Sequence, residues 1–329
     1  MRMRNLPTLV REKFKAAQVA GDITYSPTQL AILHCNSLPF QLRYSPALAH
    51  KPKSDKPKDI TQKPFDPFLD PPQSLLVAEV GSHNLVLNKF PVIPDHFILA
   101  TKEFEEQTHL LEEADFKAAY DCLKSYHTQG EELFGFFNSG EHSGASQPHR
   151  HIQFIPVESM RTGLDQEAKW SPLADSLTET PAPELPFTYF AAPLPVDIQP
   201  SDLHATYVGL HQKACQLMGT ASPVNHVTES PISYNLGLTH KSIVLCPRTA
   251  EGLSIKDANG DTLGSVALNG TLLAGTLLVK SETEWNAVRK DEKILLDVLK
   301  TIGIPTNTID SKYLPSNSNT FDNLVDGKI

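Results

Sequence analysis

The stretch NSGEHSGASQPHRHIQFIP, residues 138–156, decides the fold and the chemistry that we expect of this chain. Its last eight residues are typical of a β-strand, in which successive side chains point to opposite faces. His149, His151 and Gln153 therefore share one face, about 6–7 Å apart from one to the next, and Arg150 points to the other. The strand predicts a row of two imidazoles and one amide.

A polar turn, residues 139–148, precedes this strand. Gly140 and Gly144 allow backbone N–H groups to approach an anion closely, and the hydroxyls of Ser143 and Ser146 add hydrogen-bond donors. A phosphate group held by the turn would lie beside the strand histidines. The combination predicts a phosphate-binding site next to an imidazole.

A neutral imidazole nitrogen attacks phosphorus when the other ring nitrogen donates to a fixed acceptor. Donors must also face the non-bridging phosphoryl oxygens, where charge is rearranged in the transition state. We predict His151 as the nucleophile and Gln153 as a donor to the phosphoryl group. His149 is predicted to hold the shape of the turn by hydrogen bonding.

Two other interpretations of these histidines stay open. A single histidine in a strand is more often structural than catalytic, and H-x-H is a common zinc-binding pair. The nearest further residues of ligand type are Glu141 and His142, in the turn, and no cysteine is near. The sequence favours the nucleophile over the metal site.

The whole string resembles the transferase branch of the histidine triad superfamily, which contains galactose-1-phosphate uridylyltransferases and diadenosine tetraphosphate phosphorylases. The family pattern N-x-G-x-x-x-G-x-S-x-P-H-x-H-x-Q is matched at Asn138, Gly140, Gly144, Ser146, Pro148, His149, His151 and Gln153. Uridylyltransferases tend to have Pro between the two histidines, whereas this chain has Arg150. The string therefore looks like the phosphorylase version, and residues 63–69, 87–107, 233–248 and 268–281 also resemble that family.

The resemblance implies an α+β, histidine-triad-like fold. Two related α+β halves would surround a largely antiparallel sheet, as in galactose-1-phosphate uridylyltransferase. Loose similarity between residues 75–157 and 225–301 agrees with two halves. We expect an N-terminal helix, strand and basic loop in 1–74, a catalytic half in 75–200 and a C-terminal half in 201–329 that completes the nucleotide site.

The resemblance also implies an activity, the reversible phosphorolysis of diadenosine tetraphosphate by phosphate to ATP and ADP through an adenylyl-histidine on His151. His149 and Gln153 complete the implied catalytic set. The residues implied to contact the nucleotide or its phosphates are Lys51, Asn88, Lys89, Asn138, Gly140, Ser143, Gly144, Ala145, Ser146, Asn269, Gly270, Thr271, Thr276 and Lys280. For single lysines such as these, a solvated surface charge is the alternative.

Four rival functions differ from this one in a testable way. A hexose-1-phosphate nucleotidyltransferase would accept a sugar phosphate, and the absence of Pro at position 150 speaks against it. A dinucleoside polyphosphate hydrolase is disfavoured because hydrolytic relatives carry a third histidine where this chain has Gln153. A third alternative is an enzyme that uses adenylyl sulfate, as some relatives do. The fourth is a nucleotide-sensing or scaffolding protein that has lost turnover.

The composition limits partners and location. The chain has 329 residues and a net charge of −9, so it lacks the positive field of a general nucleic-acid or membrane-surface binder. Four cysteines without a C-x-x-C pair predict reduced thiols and a cytoplasmic protein. We expect a divalent cation, Mg²⁺, to accompany the polyphosphate without a dedicated protein site, and no tightly bound organic cofactor.

Periodicity and turn residues predict the elements along the chain. Helices are predicted over 8–20, from Thr101 through Gln107 to Leu111, and over 114–127, 202–218 and 282–301. Strands are predicted over 38–44, in three runs within 74–101, and over 133–138, 149–157, 187–191, 232–238, 242–247 and 271–280. The Lys-, Asp- and Pro-rich segment 50–72 is predicted to be a surface loop, and the tail 307–329 to be irregular.

Overall fold

The computed structural model describes residues 5–46, 65–165, 168–221, 229–257 and 259–306. Lys51, most of the 50–72 loop and the tail 307–329 lie outside these ranges, so the predictions made for them stay predictions. Within the described ranges, no helix is both long enough and apolar enough to cross a bilayer.

The described residues form seven α-helices, one 3₁₀ helix and thirteen strands. The helices are α1 (Leu6–Ala20), α2 (Glu113–His127), α3 (Val157–Arg161), α4 (Leu173–Ser176), α5 (Pro200–Leu217), α6 (Glu282–Lys290) and α7 (Glu292–Ile302), with a 3₁₀ helix at Gly270–Ala274. The strands are β1 (Gln29–Cys35), β2 (Leu38–Tyr44), β3 (Leu76–Val80), β4 (His83–Leu87), β5 (Phe97–Thr101), β6 (Leu133–Ser139), β7 (His151–Pro156), β8 (Phe190–Pro193), β9 (Ser233–Leu238), β10 (Ser242–Arg248), β11 (Gly252–Lys256), β12 (Thr262–Ala267) and β13 (Thr276–Val279).

One antiparallel sheet of eight strands runs through the molecule in the order β3-β4-β5-β7-β6-β9-β10-β8. The two halves meet where β6 pairs with β9, with Asn138 opposite Asn235. The mixed α+β architecture with a largely antiparallel sheet is thereby confirmed. The likeness to galactose-1-phosphate uridylyltransferase and the exact domain limits stay predictions.

The two faces of this sheet are buried in different cores. Phe137 and Phe154 pack with residues of α1, α2 and α5 on one face. Phe136 and Ile155 pack on the other face with the three-stranded sheet β1-β2-β13 and with α6 and α7. Both faces are apolar because both are covered. The strand β7 lies in the interior of the sheet, paired with β5 on one side and β6 on the other.

The helix predicted from Thr101 through Gln107 is wrong. Thr101 ends β5, and residues 102–112 form bends, a turn and isolated bridges, with residues 105–107 alongside the residues that precede β7. The Arg150 N–H donates to Glu105 O at 2.7 Å, and the Gln107 N–H donates to Pro148 O at 2.7 Å. These main-chain pairings satisfy the polar groups that a helix would have satisfied, so tertiary context overrides the helical spacing.

Two further predictions at the C-terminal end need correction. The strand predicted over 271–280 is a 3₁₀ helix followed by the shorter strand β13, because Gly275 turns the chain with φ of 69°. The helix predicted over 282–301 is two helices, because the Asp291 side chain accepts from the Lys293 N–H and begins a second one. The strands β1, β11 and β12 were not predicted.

Candidate active site

His151 opens the central strand β7, and its ring is buried with 4% of the residue exposed. Its Nδ1 lies 2.7 Å from the His149 carbonyl oxygen, which can only accept, so Nδ1 carries the proton and Nε2 keeps the lone pair. Burial lowers the pKa of His151 to about 4. The imidazole is therefore neutral at physiological pH, in the tautomer that a nucleophile requires.

His149 is held on both sides of its ring. Its Nδ1 lies 2.7 Å from Asp66 Oδ2, and its Nε2 lies 2.9 Å from Thr101 Oγ1 and 3.1 Å from Glu103 O. Because both nitrogens are engaged, His149 has no lone pair to offer to a metal ion. The fixed His149 ring therefore places the His149 backbone carbonyl against Nδ1 of His151. This arrangement supports the nucleophile interpretation over the zinc site.

The ring of Phe68 covers the two histidines. Its centroid lies 5.0 Å from that of His151 and 5.8 Å from that of His149. The Phe68 N–H donates to Asp66 Oδ1 at 2.9 Å, so the same carboxylate fixes both the ring and His149. An apolar cover of this kind keeps water away from one face of His151.

The side chain of Gln107 separates the ends of β6 and β7. Its Oε1 accepts from the His151 N–H at 2.8 Å, and its Nε2 donates to Asn138 O at 2.7 Å and His151 O at 3.2 Å. The buried Gln107 amide thus takes the place of direct main-chain hydrogen bonds between Asn138 and His151 and satisfies the backbone groups of both residues. The turn that leaves β6 consequently begins beside the nucleophile.

The predicted phosphate-binding turn is tightly built. Ser143 Oγ donates to Gly140 O at 2.7 Å and accepts from the Ala145 N–H at 3.2 Å. Gly140 and Gly144 have φ of 86° and 77°, a region that favours glycine. A Cβ on Gly144 would lie 2.9 Å from the Asn269 Cβ, so the turn contacts the second half directly.

Asn138 joins the turn to the C-terminal half. Its Oδ1 accepts from the Gly270 N–H at 2.8 Å and from Asn235 Nδ2 at 2.9 Å, and Asn235 Nδ2 also donates to Ser143 O at 2.9 Å. Arg248, 1% exposed, donates in turn to Asn235 Oδ1. The carbonyl end of Asn138 is thus committed within the protein, and its Nδ2 is the end left for the predicted phosphate contact.

Gln153 lies on the same face as His151 and is half-buried. Its Oε1 is 3.1 Å from Nε2 of His96, whose Nδ1 is 3.1 Å from Asn88 Nδ2. The Asn88 Oδ1 accepts from the Phe90 N–H at 2.9 Å. The predicted donor to the phosphoryl group is therefore connected to predicted nucleotide residue Asn88 through a buried histidine.

The other predicted contacts divide into two groups. Asn269 Oδ1 accepts from the Thr271 N–H at 3.0 Å. The Thr271 hydroxyl lies 2.8 Å from Asn269 Oδ1 and 2.9 Å from Thr276 O and can donate its one proton to either oxygen, so these residues form one network beside the turn. Exposed side chains form the second group, namely Lys89, Lys280, Ala145 and Ser146. Ala145 and Ser146 line a depression of about 300 Å³ together with Gly140 and residues 106–108.

Arg150 points away from the site, as the strand alternation predicts. Its guanidinium lies 3.1 Å from Asp115, 3.2 Å from Glu112 and 3.4 Å from Glu105. The capping carboxylates of α2 are thereby tied to the strand that carries the nucleophile. At the position that distinguishes the two relatives, this chain has a buried arginine that pairs with one buried and two partly exposed carboxylates.

A larger pocket of about 600 Å³ lies at the opposite end of the sheet, away from the nucleophile. Its cations are neutralised: Arg11 pairs with Glu131 at 2.7 Å, and Lys241 pairs with Glu132 at 3.0 Å. The smaller depression at the turn is lined by Gly140, Ala145 and Ser146 of the predicted phosphate-binding turn and ends at Pro148, the residue before His149.

Several functional residues escaped the sequence reasoning. Asp66 lies inside a stretch that resembles the family, but nothing local indicates that it reaches position 149, 83 residues away. The same holds for Gln107, which a helical spacing concealed, and for His96, Asn235 and Arg248. Their roles come from contacts between distant parts of the chain.

A strand-borne neutral histidine beside a glycine and serine turn defines a nucleotidyltransferase of the histidine triad type. Comparison with known proteins agrees. The family model of the Ap4A (diadenosine tetraphosphate) phosphorylase N-terminal domain matches residues 1–177, and that of the ATP adenylyltransferase C-terminal domain matches residues 183–305. The chain belongs to the Ap4A phosphorylase family.

Relatives in yeast extend this result to full length. Diadenosine 5',5'''-P1,P4-tetraphosphate phosphorylase 2 of Saccharomyces cerevisiae is 31% identical, over 94% of this chain and 97% of the relative. Protein APA1 of the same yeast is 27% identical, over 92% and 96%. The crystal structure of yeast Ap4A phosphorylase Apa2 with AMP gives a TM-score of 0.74 at 26% identity and covers 93% of this chain and 98% of that one. The Apa2 complex with Ap4A gives 0.70 at 27% identity, over 93% and 99%.

Proposed function

We propose that this enzyme phosphorolyses Ap4A to ATP and ADP, reversibly and by two displacements at one phosphorus. In the first, Nε2 of His151 bonds to the α-phosphorus, the bond to the bridging oxygen breaks, and ATP leaves. In the second, an oxygen of inorganic phosphate bonds to the same phosphorus, the P–N bond breaks, and ADP leaves. Run backward, ADP and ATP give Ap4A.

The observation that carries this proposal is the fixed tautomer of His151. Because Nδ1 donates to the His149 carbonyl, Nε2 presents its lone pair without first losing a proton. The adenylated ring then bears a positive charge, which Nδ1–H shares with that carbonyl and which makes the ring a good leaving group. The yeast relative named as an Ap4A phosphorylase supports the choice of substrate.

Gln153 and the turn act on the phosphoryl oxygens. An amide donor beside the phosphorus stabilises charge without competing for a proton. Backbone N–H groups of the 139–148 turn and the Asn138 amide supply further donors, and Asn269, Gly270 and Thr271 approach from the second half. The predicted contacts through Lys51, Lys89, Thr276 and Lys280 remain part of this proposal.

The polyphosphate brings its own cation. We propose that Mg²⁺ is bound by the phosphate oxygens of the substrate and lowers their repulsion toward the incoming nucleophile. Among the described residues there is no cluster of three or more His, Cys, Asp or Glu that could hold a metal ion. If the cation enters with the polyphosphate, the Mg²⁺ requirement should follow the substrate concentration.

We also propose a cytoplasmic location. All four cysteines are free and buried, and burial raises the pKa of the Cys35 and Cys215 thiols. Thiols in this state suit a reducing compartment. Fractionation of source cells with antibody detection tests the proposal, and recovery in a membrane or secreted fraction would contradict it.

The decisive experiment uses Ap4A labelled in the α-phosphate. Without inorganic phosphate, the wild-type protein should gain acid-labile label with release of ATP, whereas His151→Ala should gain none. The exposed His34 on β1 offers a matched control, since His34→Ala should label like the wild type. A nucleotide-sensing protein would take up no covalent label in any variant.

Product analysis separates the transferase from a hydrolase. Wild type should give ADP with phosphate and little AMP, and a sugar phosphate or sulfate should compete poorly as acceptor. Gln153→His should raise the ratio of AMP to ADP, because hydrolytic relatives carry histidine at this place. An unchanged ratio would contradict the role given to Gln153.

A further inference from the structure

A chain of hydrogen bonds leads from a backbone amide to the side chain that faces the phosphoryl group. It runs from the Phe90 N–H to Asn88 Oδ1 at 2.9 Å, from Asn88 Nδ2 to His96 Nδ1 at 3.1 Å, and from His96 Nε2 to Gln153 Oε1 at 3.1 Å. His96 is 7% exposed and packs against Phe136 at 6.2 Å between ring centroids. No step of the proposed reaction uses this histidine.

The backbone end of the chain fixes every proton in it. A backbone N–H can only donate, so the Asn88 atom that it meets is the oxygen, and the amino group faces His96. Nδ1 of His96 therefore accepts. Burial lowers the pKa of His96 to about 4, so the ring is neutral and its one proton sits on Nε2. That proton is donated to Gln153 Oε1.

We propose that His96 is a positioning residue that holds the Gln153 amide with its Nε2 amino group toward the α-phosphoryl oxygens. An amide has two nearly isosteric ends, and only one of them donates. If the amide rotated by half a turn, a carbonyl oxygen would face the negatively charged phosphoryl group. His96 excludes this orientation because its Nε2–H would then meet an amino group.

The effect of His96 on catalysis rests on the proposed function, whereas the hydrogen bond from His96 to Gln153 does not. The tautomer of His96 is a property of the ligand-free protein. It can be read from long-range ¹H–¹⁵N correlation spectra of ¹⁵N-histidine-labelled protein, with the signals assigned by their loss in His96→Gln. At pH 7 we expect a neutral ring protonated at Nε2. A ring protonated at Nδ1, or an imidazolium, would overturn the proposal whatever the enzyme's substrate.

Kinetics of two substitutions test the consequence. The terminal amide of His96→Gln can place an N–H near the former Nε2, whereas His96→Met fills similar space without a donor. We expect Met to lower kcat on the order of 10- to 100-fold, to change KM less, and to raise the share of AMP among the products. Gln should recover most of kcat and the original product ratio.

A purely structural role would affect both variants alike, since both lose the ring that packs on Phe136. Equal kcat, KM and product ratio in His96→Met and His96→Gln would therefore refute the positioning role. Thermal unfolding of each variant checks that the fold is kept. If the wild type failed to act on Ap4A while the spectra showed the Nε2–H tautomer, the proposed function would fail and the assignment of His96 would stand.

Discussion

Asp66 Oδ2 lies 2.7 Å from Nδ1 of His149, the residue whose carbonyl oxygen orients His151. The Asp66 carboxylate, which lies outside the sheet, therefore holds the His149 ring in place. Through that ring it sets the position of the His149 carbonyl oxygen, which fixes the tautomer of His151. A hydrogen bond that involves a charged group contributes about 1.5–3 kcal/mol. Loss of this contact should be felt at the nucleophile without any change in the nucleophile itself.

We expect Asp66→Ala to lower kcat by roughly 10- to 100-fold, which corresponds to that energy, and to change KM for Ap4A less. Asp66→Asn, which keeps an acceptor but not the charge, should lie between Ala and wild type. Steady-state kinetics measure both effects. Asp70→Asn, in the same segment but exposed, serves as the control, and full activity of Asp66→Ala would show that His149 needs no anchor.

Removal of the Phe68 ring should let water reach the adenylated histidine. Phe68→Ala is expected to increase AMP formation from Ap4A in the absence of phosphate, because the ring lies 5.0 Å from that of His151. The ratio of AMP to ADP, measured by chromatography, reports the change. Phe65→Ala alters a ring that is 85% exposed and should behave like the wild type. A wild-type ratio in Phe68→Ala would assign the exclusion of water to other groups.

Substitution of Gly140 or Gly144 in the turn should lower the free energy of unfolding more than substitution of Gly130, a glycine elsewhere with a similar φ. Gly130 has φ of 74°, and a Cβ added there would meet no atom of the described residues within 4 Å, whereas a Cβ on Gly140 would lie 2.4 Å from Ser233 Oγ. Gly130→Ala should cost about 1 kcal/mol of unfolding free energy from the backbone alone. Gly140→Ala and Gly144→Ala should cost about 1–3 kcal/mol more. Urea denaturation gives these values, and equal losses at the three sites would contradict the close packing.

Acid should destabilise the protein in a defined window. Burial lowers the pKa of His96, His151 and His211, each to about 4, against about 6.5 in the unfolded chain. The unfolded state thus binds these protons first. The stability is complete above about pH 6.5 and is lost as pH falls toward 4, by up to roughly 1.4 kcal/mol per pH unit for each histidine.

His211 allows the loss of stability in acid to be measured without altering a predicted site residue. Its Nε2 lies 2.9 Å from Ser230 Oγ, and neither residue belongs to the predicted site. His211→Gln should show a smaller fall in unfolding free energy between pH 7 and pH 4.5 than wild type. The activity should follow a different course. Because His151 acts neutral, it should place no limb in the kcat/KM profile between about pH 5.5 and 8. The lowered pKa of His151 would be contradicted if kcat/KM changed around pH 6.5 and this change persisted when each of the other histidines was substituted.

The sequence predicted what depends on local pattern. Alternation along 149–157 correctly separated Arg150 from His151, and helical spacing correctly predicted α2 and α5. The start of α6 after Ser281 was also predicted correctly, and the Ser281 hydroxyl caps it by accepting from the Glu284 N–H at 3.1 Å. The resemblance at the turn identified the family that the comparisons confirmed.

What the sequence could not predict depends on pairing between distant residues. Residues 102–112 have a helical spacing of apolar side chains, yet they form no helix, because the backbone before β7, about 40 residues away, offers hydrogen bonds to Glu105 and Gln107. Among the residues that the structure describes, β11 and β12 pair with each other alone and have partly exposed side chains, so they leave a weak pattern. The anchoring of His149 by Asp66 and of Gln153 by His96 has no local signal, because each partner is ordinary in its own sequence context.

The pairing of β6 with β9 has a consequence for how substrates enter and products leave. A main-chain ladder from Gly135 to Ser139 joins the two halves, so a hinge that swung one half away from the other would have to rupture it. We therefore expect ATP and phosphate to exchange without separation of the two halves. The adenylyl-histidine that we propose would then keep its surroundings throughout turnover, which suits an intermediate that has to wait for the right acceptor.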